Sequence, residues 1–354
     1  MTTNPSPMPN IERTPGKRNQ FWEPIFAPAP LEPFKSFDWD TSNVTGICKQ
    51  TCTATNLKTR LGNRNSYSAS DFRFCECDFR GDFDLKKITF KECVFEYCDL
   101  GYSTWSNVKF QKCTFRKCSL TMSTFEKCQF LDCTWADTGL SGNETRMSEC
   151  LITNPRAFVI SAYTNLDHTV LEKHNTTPSN QKMRLEQTKV KVARMVLTSL
   201  ERNGDDRGYY EAVAMYLNQS LDADLAEARH KVASRNRYLS NRLRIVFLNL
   251  EKSILNASGF INSWGASIAR PALFGVGLMV FFGLFYYFTN IECSIYGGLM
   301  ASFDITTLVG YTKHAVKNGG VMKELSYATN MMFGLWWYAI FVPTVINRIS
   351  RVRA

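Results

Sequence analysis

Every fifth residue from Phe90 to Leu140 is large and apolar: Phe90, Phe95, Leu100, Trp105, Phe110, Phe115, Leu120, Phe125, Phe130, Trp135 and Leu140. Two positions before each stands a mostly compact residue: Ile88, Cys93, Cys98, Ser103, Val108, Cys113, Cys118, Ser123, Cys128, Cys133 and Thr138. A period of five fits neither the turn of an α-helix nor the alternation of an ordinary strand. The chain must turn a corner every five residues and send two side chains inward from each side. Four sides make a coil of twenty residues, and residues twenty apart match: Leu100, Leu120 and Leu140; Cys93, Cys113 and Cys133; Cys98 and Cys118; Ser103 and Ser123.

These two coupled columns, over residues 70–142, resemble the pentapeptide-repeat family, which implies a right-handed quadrilateral β-helix. A weaker start at Phe72, Phe74, Phe79 and Leu85 suggests an irregular coil upstream. At the inward positions cysteine serves as a compact hydrophobe. No C-x-x-C occurs and no histidine precedes His168, so no metal is expected. The chain is long and opens without an apolar run, so its twelve thiols are expected to be reduced and to face a cytosol. Eleven acidic and ten basic side chains intersperse between residues 71 and 140, which suits a scaffold or docking surface better than a mimic of DNA.

Eight of the twelve prolines fall within the first 33 residues, so residues 1–40 read as a flexible leader. Phe21, Trp22, Phe26, Phe34, Phe37 and Trp39 are available to dock its second half. The β-helix is expected over 41–142 and a linker over 143–180. Over 181–269 the period becomes helical, with Met183, Val190, Ala193, Val196, Leu197 and Leu200 on one face. A turn at 202–208 and a second helical stretch from Tyr209, broken near Ser220, predict a helical hairpin on the cytoplasmic side.

The whole chain carries a net charge of +10, and part of the excess is concentrated. Arg229, Lys231, Arg235, Arg237, Arg242 and Arg244 follow one another with no acid between 229 and 244. On one continuous helix Lys231, Arg235, Tyr238 and Arg242 share a face. Two readings stand open: a solvated or lipid-proximal basic face, or an anion site with forked arginine donors and Tyr238 as a stacking platform.

Residues 271–291 and 325–347 are uncharged stretches of 21 and 23 residues. At the helical rise the shorter is about 32 Å long, enough to span a bilayer. Arg270 precedes the first, and Arg348, Arg351 and Arg353 follow the second, whereas the 33 residues between them are charge-balanced. The positive-inside rule then places both termini in the cytoplasm. Between the spans, residues 294–303 are apolar but too short to cross, which implies a re-entrant helix and loop. Helix, short helix, Thr306-Thr307-Leu308-Val309-Gly310-Tyr311, helix is similar to the pore module of two-transmembrane channels of the potassium-channel type. That resemblance makes residues 270–354 a pore domain and Thr306 to Tyr311 its filter. Leu308 stands where that family has threonine, and Thr312 where it has glycine, so cation passage is expected without strict potassium selectivity. Gly334 and Pro343 are candidate hinges, and Trp337 a candidate apolar gate or packing residue.

No P-loop, H-E-x-x-H or G-x-S-x-G occurs, and the four histidines are scattered, so neither an enzyme nor a cofactor is expected. The repeat rod, basic helical part and two-helix pore together resemble the membrane effectors of the Hailong anti-phage system. The resemblance implies a homotetrameric channel in the cell inner membrane. It would be held shut by a single-stranded DNA oligonucleotide from a partner nucleotidyltransferase and would depolarise infected cells on release. Two rivals are a membrane-anchored interaction scaffold and a lipid-gated or mechanosensitive channel. The charge asymmetry predicts that Asn318→Cys, in a Cys293→Ser background, is labelled from outside by an impermeant maleimide and Ala354→Cys is not. The reverse pattern overturns the topology.

Overall fold

The computed structural model describes residues 22, 24, 46–54, 57, 67–84, 88–140, 145–203, 206–234, 238–309, 314 and 320–352. The chain divides into two compact units, Met1–Leu248 and Asn249–Ala354.

The first unit opens with strands β1 (Gly46–Cys48), β2 (Thr51–Thr53), β3 (Tyr67–Ser70), β4 (Arg73–Cys75), β5 (Asp78–Asp84), β6 (Ile88–Lys91), β7 (Val94–Glu96) and β8 (Ser103–Ser106). It continues with β9 (Lys109–Gln111), β10 (Thr114–Arg116), β11 (Thr124–Glu126), β12 (Gln129–Leu131), β13 (Thr134–Ala136), β14 (Arg146–Ser148) and β15 (Leu151–Ile152). They assemble into three five-stranded parallel sheets, β1-β4-β7-β10-β13, β14-β11-β8-β5-β2 and β15-β12-β9-β6-β3. A further row of parallel bridges joins Asp78, Asp99, Ser119 and Gly139. The result is a β-solenoid of about four turns.

The register carries the sequence period into space. Phe95 pairs with Phe115 and Phe115 with Trp135, each twenty residues on. The aromatic rings stack along the axis: Phe95 on Phe115 at 4.8 Å and 7°, Phe110 on Phe130 at 5.0 Å and 4°, Phe83 on Trp105 at 4.2 Å and 10°. Such pairs add about 0.5–1.5 kcal/mol each beyond the area they bury. In the irregular first coil it is Phe83 that stacks on Trp105; Leu85 lies outside the described residues.

From Glu92 to Asp137 the corners are made without glycine. Glu92, Tyr97, Tyr102, Asn107, Lys112, Lys117, Met122, Lys127, Asp132 and Asp137 all have φ between 51° and 60°, the left-handed region. Each costs on the order of 1 kcal/mol for an L-residue. The corner amide donates to the next coil in return, as from Glu92 N to Gln111 O (2.8 Å), Lys112 N to Leu131 O (2.7 Å) and Lys117 N to Ala136 O (2.8 Å). The inward thiols bond in the opposite direction: Cys98 Sγ donates to Phe74 O (3.3 Å), Cys113 Sγ to Phe90 O (3.2 Å) and Cys118 Sγ to Phe95 O (3.2 Å). Outside, charges alternate along the axis, with Glu96 between Arg73 (2.5 Å) and Arg116 (3.3 Å), and Glu92 near Lys112 (3.7 Å).

The solenoid reaches Ile152, ten residues past the expected boundary, so the stretch 143–180 is not a plain linker. Two extra residues shift the period there: Phe125 pairs with Met147 and Phe130 with Ile152, twenty-two on instead of twenty. Helix α1 (Pro155–Ile160) then closes the coil, capped by Asn154 Oδ1, which accepts from Ala157 N at 3.1 Å. Its Phe158 packs edge-on against Trp135 at 4.8 Å. Helix α2 (His168–Lys173) follows, and its Leu171 packs with Trp22. The other leader aromatics lie outside the described residues.

Helices α3 (Pro178–Asn203) and α4 (Asp206–Ala233) form the expected hairpin. Val192, Ala193, Val196 and Leu200 of α3 join the solenoid core, and Ser199 Oγ accepts from Cys150 N at 2.8 Å. The expected break near Ser220 is absent, because Leu217 to Leu225 continue the buried face of one helix. The helix ends instead at Ala233, and helix α5 (Tyr238–Asn262) begins after it. The second unit comprises the rest of α5, a short 3-10 turn at Ser263–Gly265, and helices α6 (Ala269–Phe288), α7 (Ile295–Thr306) and α8 (Val321–Val352).

Burial and the neighbouring Cys118 thiol push the Cys98 thiol well above its usual range. Cys48 and Cys293 are exposed, Cys75 is half-buried, and the other nine cysteines are buried. An aromatic disulfide reagent is therefore expected to titrate two thiols rapidly in the native protein, Cys75 slowly, and the rest only after denaturation. Fast reaction of all twelve would contradict the packed solenoid.

Candidate functional site

Two helices are long and apolar enough to cross a membrane: α6, with mean hydropathy 1.8, and the Val321–Asn347 part of α8, with mean hydropathy 1.2. Both leave most of their apolar surface uncovered, with Leu273, Val276, Phe281 and Phe288 exposed on α6 and Leu325, Met332 and Ile346 on α8. Between them lies α7, twelve residues long. Ser294 caps its start, Oγ accepting from Gly297 N at 3.0 Å.

Glycines let the three helices touch. A Cβ on Gly298 of α7 would stand 2.5 Å from the carbonyl oxygen of Gly283 of α6. A Cβ on Gly334 of α8 would stand 2.5 Å from Thr306 O, at the last residue of α7. One turn before Gly334, Asn330 Oδ1 accepts from Thr306 Oγ1 at 2.9 Å. Residue Thr306 is thus held by α8 through a hydrogen bond and a backbone contact on the same helix face. Nearby helices bury Tyr286 OH, Ser302 Oγ and Asn330 Nδ2, which have no hydrogen-bond partner among the described residues. The sequence signal for these groups was present, because polar residues inside an uncharged span are costly.

The filter candidates separate into two kinds. Thr306 is fully buried and bonded to Asn330, and Thr307 Oγ1 donates back to Phe303 O at 2.8 Å. Leu308 ends the helix in the left-handed conformation, φ 61°, and its amide donates to Ile305 O at 3.1 Å. Val309 is 80% exposed, and Gly310 and Tyr311 lie outside the described residues. Beside this segment His314 Nε2 meets Asp304 Oδ2 at 3.1 Å, while Glu292 accepts from Tyr327 OH at 2.7 Å and pairs with Lys323 at 3.5 Å.

The gate candidates have packing roles within one chain. Gly334 sits against Thr306, as above. Trp337 is buried between α6 and α8, its Nε1 donating to Pro271 O at 2.7 Å and its ring stacked on Phe341 at 5.3 Å. Pro343 is exposed inside α8.

The basic candidates do not form one helical face. Lys231 ends up on α4 and Arg242 on α5, because α4 stops at Ala233 and Ser234 Oγ folds back to donate to Lys231 O at 3.0 Å. Lys231 pairs with Glu227, whose carboxyl it holds below the usual carboxylate range. Arg244 pairs with Asp224 at 3.3 Å. Arg229 and Arg242 are exposed; Arg235 and Arg237 lie outside the described residues, and Tyr238 is the first residue of α5. Acids one or two turns upstream on α4, which a window of residues 229–244 leaves out, neutralise part of the cluster.

No protein-family model matches the chain, and no curated protein matches its sequence. The helix contacts make a direct prediction. Gly334→Ala should destabilise the detergent-solubilised protein by about 1–3 kcal/mol, the usual cost of overpacking. Gly277→Ala, where a Cβ meets nothing within 4 Å, should not lower the thermal midpoint. Equal midpoints for the two variants would contradict the α7–α8 contact.

Proposed function

We propose that the chain is one subunit of a homotetrameric, cation-permeable channel in the cell inner membrane, with both termini cytoplasmic and a regulatory soluble unit. One observation carries the reading: a helix of only twelve residues, α7, packs against both membrane-length helices and ends at the Thr-Thr-Leu-Val-Gly-Tyr segment. At 1.5 Å per residue such a helix is about 18 Å long, too short to cross a hydrocarbon core of about 30 Å. A re-entrant helix of this kind turns its carbonyl end, the negative end of its dipole, toward the middle of the membrane, where it favours a cation. Each copy supplies a quarter of a filter, so four close the pore around Leu308, Val309, Gly310 and Tyr311.

In this reading the solenoid is a right-handed quadrilateral β-helix of pentapeptide repeats, and with the α3–α4 hairpin it relays a cytoplasmic signal. The resemblance to Hailong effectors supplies the rest: the signal is a single-stranded DNA oligonucleotide that holds the pore shut. Flux of sodium and potassium from proteoliposomes tests the proposal. Wild-type protein should pass both ions within about tenfold of each other, a difference of no more than roughly 1.4 kcal/mol. Gly310→Val should abolish flux without loss of insertion or of the tetramer, since valine resists the backbone conformations open to glycine. Short single-stranded DNA should reduce the wild-type flux. Normal insertion with no flux in the wild type would leave a membrane-anchored scaffold.

A further inference from the structure

The first unit contains a cleft that none of the preceding roles uses. It lies between the last coil of the solenoid and α3, has a volume of about 430 Å³, and is open to solvent. Arg146 of β14 forms one wall, and Lys191, Arg194 and Thr198 form the other. Residues 191, 194, 195 and 198 recur at helical spacing, so α3 presents them on one face. Thr145, Met147 and Met195 complete the lining.

Three basic side chains line this one cleft, and no acidic residue does. Several basic residues of this unit have acidic partners: Lys127 with Glu149, Lys189 with Glu186, Arg244 with Asp224, Lys231 with Glu227. Arg146, Lys191 and Arg194 have no ion pair or side-chain hydrogen bond among the described residues. Three like charges around one concavity repel one another and focus a positive potential into it. A ligand of two or three negative charges relieves that repulsion, and arginine's forked donors match phosphate oxygens. The two lining methionines offer a soft, polarisable surface of the kind that favours contact with an aromatic ring.

We propose that this cleft is a binding site for a nucleotide with at least two phosphates. Arg146, Lys191 and Arg194 hold the phosphates, Thr198 donates its hydroxyl, and the base lies on Met147 and Met195. The site is separate from the basic candidates at 229–244 and does not depend on the channel reading.

The test is titration of the full-length, detergent-solubilised protein with ADP and with inorganic pyrophosphate at about 0.1 M salt. ADP should bind saturably, and more tightly than pyrophosphate, which lacks a base. Arg146→Gln, Lys191→Gln and Arg194→Gln, all exposed positions, should each weaken ADP at least tenfold, while Lys173→Gln, at an exposed position outside the cleft, leaves it unchanged. Circular dichroism of each variant checks that the solenoid and α3 remain folded. Absence of saturable ADP binding overturns the site, as does binding that survives the three cleft substitutions. Equal affinity for ADP and pyrophosphate overturns the nucleotide assignment.

Discussion

The first unit depends on a hydrogen bond repeated at most corners of its solenoid. Each corner residue is held in the left-handed region, a conformation that an isolated L-residue avoids. At most corners the amide reaches the carbonyl of the following coil, as from Tyr97 N to Arg116 O at 3.0 Å and from Lys127 N to Ser148 O at 2.9 Å. A single corner of this kind would open. A stack of them persists because every coil is both donor and acceptor, and because stacked phenylalanines and compact thiols fill the interior to close packing. The thiols contribute direction as well as volume, since they donate back to the carbonyls of the preceding coil.

A stack of this kind has open ends, and an uncovered parallel edge invites association with other chains. This chain closes one end with its own helices. The two-residue insertion before Met147 ends the regular period, α1 lays Phe158 on Trp135, and α3 brings four small or branched residues onto the last coil. The closure leaves the cleft beside Arg146 on the surface, where strand and helix diverge. Burial of the apolar face thus also sets the position of the three unpaired cations.

The second unit uses a different economy of contact. Lipid would drive its helices together far less than water drives a soluble core, so close backbone approach and internal polar contacts carry the association. Gly298 against Gly283 and Gly334 against Thr306 provide the approach, and Thr306 with Asn330 provides the polar contact. The end of α7 is thus tied to the middle of α8, and Leu308 leaves the helix in a left-handed turn beside that contact.

Much of this architecture was legible in the sequence because its causes are periodic. The five-residue columns from Phe90 to Leu140 specify a solenoid, and uncharged stretches of 21 and 23 residues specify membrane-length helices. Both follow from local composition and chain geometry alone. What escaped the sequence has non-local causes. Nothing in Glu92, Lys112 or Lys117 announces a left-handed residue, because the stabilising carbonyl belongs to another coil. The solenoid ran past residue 142 because two inserted residues changed its phase without ending its stacking. The basic run from Arg229 to Arg244 looked like one face and is not, because α4 stops at Ala233 and acids one or two turns upstream take up Lys231 and Arg244. Likewise the close approach of Gly334 to Thr306 has no signal in the sequence, since only packing brings the two together. Period and hydropathy determine which elements form; only the tertiary structure decides which charges are paired, which glycines are crowded and which polar groups are held, since those depend on partners distant in the chain.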